Sequence, residues 1–85
     1  PSIKLIKKCL YSGFSAPIII NASNEVLVSL FLQEKIAFLD IVATISKIFR
    51  DKDFNKYAKR KPRSVKEVKI IDNWARLKTI NMCVK

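Results

Sequence analysis

The chain reads as all-α: a small bundle of about four main helices plus a short one. Three observations predict this. Apolar residues recur at intervals of three and four along most of the chain. Only one Gly and three Pro stand among 85 residues, too few turn signals for a many-stranded sheet. The 49% apolar fraction is that of a folded chain, so disorder throughout is excluded.

The first helix is expected over about 3–12. Ser2 is placed to cap it, Ile3, Ile6 and Leu10 repeat on one face, and Leu5 and Cys9 flank them. Lys4, Lys7 and Lys8 take the other face, and Gly13 supplies the stop.

The second helix is expected over about 22–34, with Asn21 at its head. Asn21, Glu25, Ser29 and Gln33 recur every fourth residue as one polar stripe. Val26, Leu27, Val28, Leu30, Phe31 and Leu32 cover nearly everything else. A helix apolar around most of its circumference packs on several sides, so this one should be the centre of the bundle. Asn21, Asn24 and Glu25 are then expected to act as internal ties, since a buried amide without a partner costs about 1–3 kcal/mol.

Asp40 is the expected N-cap of a third helix over about 41–50, with Ile41, Ile45, Ile48 and Phe49 inward. Lys47 and Arg50 lie in its last turn, where the helix dipole favours cations. A basic connection follows over 51–63. Within it Phe54, Tyr57 and Ala58 are spaced for one or two helical turns, which Pro62 ends.

Ser64 and Glu67 form a capping-box pattern that opens a helix over about 65–70, with Val65 and Val68 inward. The apolar phase then jumps: Ile70, Trp74, Leu77 and Ile80 lie on nearly the opposite side of the wheel. A break near Ile71 is therefore expected, with Asp72 capping a last helix over about 73–83. Trp74 is read as a core or interdomain contact.

A chain of this length hides roughly 60–65% of its unfolded surface, so its stability without a partner is marginal. It starts at Pro1 with an amphipathic pattern directly behind, and a piece of a longer protein is expected. No secretory signal is visible. The apolar run from Ala16 to Leu32 is interrupted by Pro17, Asn21, Ser23, Asn24 and Glu25, too polar for a membrane span. Cys9 and Cys83 have no CxxC spacing and the chain has no His, so a Cys/His zinc site is excluded; both are read as free thiols in a reducing compartment.

The net charge of +10 raises nucleic acid as a partner, and Lys59, Arg60, Lys61 and Arg63 make the sharpest basic cluster. Lys, Ile and Asn run high together, as AT-rich coding produces without any polyanion partner. A solvated loop is the preferred reading of the cluster, and an independent basic helical nucleic-acid-binding module is the alternative. The chain has no glycine-rich phosphate loop and no clustered carboxylates for a metal, and Ser12, Ser15 and Ser29 lack a base partner.

Five blocks in order carry a resemblance. They are Pro1-Ser2-Ile3-Lys4-Leu5, Ile20-Asn21-Ala22-Ser23-Asn24-Glu25-Val26, Ile36-Ala37-Phe38-Leu39-Asp40-Ile41, Ser64-Val65-Lys66-Glu67-Val68 and Asp72-Asn73-Trp74-Ala75-Arg76. Together they resemble the C-terminal helical domain of the 1-deoxy-D-xylulose 5-phosphate reductoisomerases, whose members show PSxKL, LNAANEVAVxxFL, IxFxDI, SxxDV and a DxxAR-type helix. Residues 1–85 would be that domain. Three departures stand out: Ser23 replaces the usual Ala, 51–61 is longer and more basic, and Gly is scarcer.

The resemblance implies a parent enzyme that is NADPH-dependent and requires Mg2+ or Mn2+. It would convert 1-deoxy-D-xylulose 5-phosphate to 2-C-methyl-D-erythritol 4-phosphate in non-mevalonate isoprenoid biosynthesis. The nucleotide-binding and catalytic domains would precede this region and be its partners, within a homodimeric parent of the bacterial cytoplasm or an apicoplast-like plastid. Cofactor, metal and substrate would all be bound there. No residue of these 85 is therefore assigned a catalytic, cofactor-binding or metal-ligating role, and the fragment alone is expected to be inactive. Asn24 and Glu25 are the one pair that could reach toward a catalytic domain, and a structural role is preferred for both.

Overall fold

A computed structural model describes residues 15–83, and these form the all-α bundle expected, with no strand among them. Helix α1 spans Ala16–Leu32, α2 Phe38–Phe49, α3 Phe54–Ala58 and α4 Val65–Cys83. The helix expected over 3–12, and Cys9 within it, lie outside the described residues.

Helix α1 starts six residues earlier than the polar head at Asn21 suggested. Pro17 stands in its first turn, where a missing N–H costs nothing and the fixed φ suits a helix. Ser15 anchors this end from outside. Its N–H donates to the Ala58 carbonyl at 2.8 Å, and its buried hydroxyl donates to the Arg60 carbonyl at 2.5 Å. The head of α1 is thus tied to the end of α3.

At the other end the chain leaves α1 through a Schellman motif. The N–H of Lys35 reaches the Leu30 carbonyl and that of Glu34 the Phe31 carbonyl, both at 2.9 Å. The reversal requires Glu34 at φ 60°, a left-handed conformation that Gly adopts more readily.

Helix α2 begins at Phe38, three residues before the expected start. Asp40 is not its N-cap but sits in the first turn and reaches back to accept the Ala37 N–H at 2.8 Å. A carboxylate at that position satisfies a donor outside the helix and also faces the positive end of the dipole. Ile48 is buried as expected, Ile41, Ile45 and Phe49 are half-buried, and the second buried residue of α2 is Thr44.

Helix α4 is continuous over 19 residues, so the expected break near Ile71 is absent. The phase conflict dissolves because the helix buries neither large apolar set. Its inner face is Ile71, Ala75 and Thr79, spaced four apart. Val65, Val68, Ile70, Leu77 and Ile80 are all exposed. Asp72 lies inside the helix, where its carboxylate takes the Arg76 Nε at 2.8 Å. At the start, Ser64 accepts the Glu67 N–H at 3.2 Å, while the Glu67 carboxylate accepts the N–H of Arg63, one residue earlier than a standard box.

Helix α1 touches the other three, its largest interface being with α4. Ala22 and Ser23 there face Ala75 and Thr79, small side chains that let two backbones approach closely. The core joins Ala16, Ile19 and Ala22 of α1, Ile48 of α2, Phe54 and Ala58 of α3, and Ile71 and Ala75 of α4. Phe49 and Phe54 meet edge to face at 5.3 Å within it. Trp74 stacks on Tyr57 at 4.5 Å, a contact between α3 and α4 at the rim of this core. Helix α1 is less enclosed than its composition implied: Leu27 is buried, but Val28, Phe31 and Leu32 are exposed.

Candidate functional site

The polar residues at the head of α1 do not form buried ties. Asn21, Asn24 and Glu25 all face solvent, because the face of the helix that packs against α4 is the one carrying Ala22 and Ser23. Glu25 does make one cross-helix tie, at the surface, with its side chain 56% exposed. Its carboxylate accepts a hydrogen bond from the Arg76 guanidinium at 2.5 Å, and Asp72 accepts another from the same group at 2.8 Å. Asp72 first, then Glu25, hold the Arg76 charge in place and raise its pKa above the ordinary value. One guanidinium engages two carboxylates here, so this is a clamp between α1 and α4 rather than an acid–base pair.

The tie inside the α1–α4 interface is a pair the sequence reading passed over. The hydroxyls of Ser23 and Thr79 meet at 2.9 Å, and Thr79 Oγ1 lies 2.7 Å from the Ala75 carbonyl. A carbonyl only accepts, so the Thr79 hydroxyl donates to Ala75 and accepts from Ser23. Both are buried and satisfied. The signal was the four-residue spacing of Ile71, Ala75 and Thr79, masked by the larger apolar residues on the other face.

A second cross-element ion pair joins Lys78 of α4 to Asp51, with Lys78 Nζ and Asp51 Oδ2 at 2.9 Å. Asp51 Oδ1 also accepts the Asp53 N–H at 2.9 Å, which shapes the turn into α3. Burial pushes the Asp51 carboxyl up, but the Lys78 hydrogen bond, the Asp53 N–H and the charges of Lys78 and Lys52 together outweigh it and leave its pKa lowered. The Lys78 pKa is raised, foremost by its hydrogen bond to Asp51.

The basic connection is held against the bundle. The Arg60 guanidinium lies 5.0 Å and Lys56 Nζ 5.6 Å from the centre of the Tyr57 ring, which itself stacks on Trp74. The two aromatic rings nearest the basic cluster are thus engaged with each other.

Hollows mark the described surface. One of about 440 Å³ runs along α1, lined by Asn24, Glu25, Val28, Ser29, Leu32 and Gln33. Another, about 250 Å³, lies between the start of α2 and the end of α4 and includes Lys35, Asp40, Lys47 and Cys83. The half-buried Cys83 thiol has Thr44 Oγ1 as a weak partner at 3.9 Å. Among the described residues no three His, Cys, Asp or Glu side chains converge as metal ligands, and no helix is long and apolar enough to cross a membrane. The described arrangement joins helices and presents a surface; it assembles no nucleophile with a base.

A family model described as the DXP reductoisomerase C-terminal domain matches residues 1–78. Similar proteins named 1-deoxy-D-xylulose 5-phosphate reductoisomerase occur in Pelagibacter ubique, 36% identical over 99% of this chain and 22% of the relative, and in Zymomonas mobilis, 36% identical over 91% and 19%. Another, from Acetivibrio thermocellus, is 36% identical over 89% of the chain and 19% of its own length. The chain therefore spans about a fifth of the curated relatives it matches. No solved structure matches it. A match over nearly its whole length and relatives at this identity place the chain in the DXP reductoisomerase C-terminal domain family.

Proposed function

We propose that the chain is the supporting C-terminal domain of an NADPH-dependent reductoisomerase. The parent enzyme converts 1-deoxy-D-xylulose 5-phosphate to 2-C-methyl-D-erythritol 4-phosphate in the non-mevalonate route to isoprenoid precursors. The observation that carries this reading is the family match over residues 1–78.

The described residues fit neither NADPH nor a divalent metal: no glycine-rich turn opens a helix, and no three ligands converge. Both belong to the preceding nucleotide-binding and catalytic domains. What this chain's own residues supply is rigidity. The Ser23–Thr79 pair and the Glu25–Arg76–Asp72 clamp tie α1 to α4, and the Asp51–Lys78 pair ties the turn between α2 and α3 to α4, a support for a neighbouring catalytic domain. The parent is a homodimer of the bacterial cytoplasm or of a plastid.

The test is NADPH oxidation by the full-length polypeptide with 1-deoxy-D-xylulose 5-phosphate and Mg2+ or Mn2+. Substrate-dependent oxidation that stops on chelation is expected from the full-length protein, and none from residues 1–85 alone. A full-length protein that binds the substrate but reduces nothing would contradict the reading.

A further inference from the structure

We infer that the apolar end of the bundle, where α1 runs out and α2 begins, is the face onto which the upstream part of the same polypeptide docks. The inference rests on the reading of this chain as the last domain of a longer enzyme, and adds which surface meets the rest.

Large apolar side chains are left uncovered together at this end. Leu32 is 74% and Leu39 78% exposed, and Phe38 is also exposed while meeting Phe31 edge to face at 5.8 Å. The hollow along α1 runs into this patch. Val28 and Leu32 supply it with an apolar rail, and Ser29 and Gln33, hydrogen-bonded to each other at 2.9 Å, supply a polar one. The chain carries a net charge of +10, yet between Val26 and Leu39 only Glu34 and Lys35 are charged, with Glu25 at the far end of the hollow and Asp40 beyond Leu39 bounding the stretch. Depletion of charge around aromatic and aliphatic side chains is the signature of an interface core, not of a solvated surface.

The other uncovered apolar strip, Ile70, Leu77 and Ile80 on α4, differs in kind. Asn73 interrupts it, and Lys66 and Lys69 precede it on exposed positions, a composition suited to water. Its one aromatic neighbour, Trp74, is half-buried and already stacked on Tyr57 within the bundle.

The occupant follows from length. The matched relatives are about five times longer than this chain, and the family model assigns the matched part to their C-terminal domain. Some four-fifths of such a polypeptide thus lies ahead of this bundle, tethered to it and present at high effective concentration. A tethered domain reaches the patch before any free partner does.

The experiment uses the full-length polypeptide with the photo-crosslinking residue p-benzoylphenylalanine in place of Leu39, and in a second variant in place of Leu77. After irradiation, mass spectrometry maps the adducts. The Leu39 probe is expected to join a peptide upstream of Pro1 within the same molecule, and the Leu77 probe to give several-fold less such adduct. Adducts between two copies, adducts confined to residues 1–85, or no adduct from the Leu39 probe would each overturn the inference. Hydroxyl-radical footprinting of the unsubstituted full-length protein gives a reading free of any folding defect. Leu32, Phe38 and Leu39 should label several-fold more slowly than Leu77, and equal labelling would overturn the inference. Reductoisomerase turnover of the same sample separates the two claims. An active enzyme without upstream adducts loses only the docking face, whereas upstream adducts on an inactive protein leave the face and remove the activity.

Discussion

The hydroxyls of Ser23 and Thr79, 56 residues apart in sequence, lie 2.9 Å from each other in the buried seam between the two long helices. Ser23 is where the family resemblance leads one to expect Ala, so the departure brings its own partner. Thr79→Val leaves the Ser23 hydroxyl facing an apolar surface and should destabilise the chain by about 1–2 kcal/mol. Adding Ser23→Ala removes the stranded group and should restore most of that loss. Urea unfolding of the two single variants and the double variant gives the coupling directly, which should be about 1 kcal/mol.

Glu34 holds a left-handed conformation at φ 60° to close the Schellman motif after α1. Gly there removes the clash of a Cβ with its own carbonyl, a saving of order 1 kcal/mol after its greater unfolded-state entropy is set against it. Glu34→Gly should therefore raise the unfolding midpoint. Glu34→Val, bulkier at the same angle, should lower it.

The Asp51–Lys78 pair sets a pH dependence at both ends of the scale. The Asp51 pKa is lowered from its ordinary 3.8, so its contribution is complete at neutral pH and above. It fades as pH falls through the lowered folded-state value, where the native carboxylate must take up a proton. The Lys78 pKa is raised from 10.5, so its contribution is complete below that value and is lost as pH rises past the folded-state value. Asp51→Asn should lower thermal stability at pH 7 and flatten the acid limb of the stability profile. An acid limb of unchanged slope would show that another carboxylate governs it.

Burial, not residue size, should decide which α4 substitutions matter. Ile71 is fully buried in the core, and Ile71→Ala should cost about 2–5 kcal/mol. Leu77 is 62% exposed, and Leu77→Ser should stay within about 0.5 kcal/mol of wild type in the same unfolding assay.

That contrast also shows what the sequence could and could not convey. Helical class, the core position of Ile48 and the opening of α4 at Ser64 follow from local rules of spacing and capping, and the structure agrees with them. The misplacements share one cause, namely reading large apolar residues as buried. In α4, Ile70, Leu77 and Ile80 outweigh Ala75 and Thr79 by size, yet the narrow seam with α1 admits only the small pair beside Ile71. In α1, the polar Asn21 looked like a start, while Pro17 was the better signal. Which of two apolar faces a helix buries depends on the helices that pack on it from elsewhere in the chain, and spacing along one helix carries no record of them. The surface position of Glu25 was hidden for the same reason. Its partner, Arg76, is 51 residues away.

On the proposed function, these residues support a reductoisomerase without performing its chemistry. Glu25 tests this best, being the carboxylate set beside the α1 hollow and clamped, among the described residues, by Arg76. The deciding measurement is kcat of the full-length enzyme carrying Glu25→Gln, alongside its melting temperature. An exposed ion pair is worth about 0.2–1 kcal/mol, so melting should fall slightly and kcat should stay within about two-fold of wild type. A kcat reduced by orders of magnitude at an unchanged melting temperature would place Glu25 in the chemistry and contradict the account.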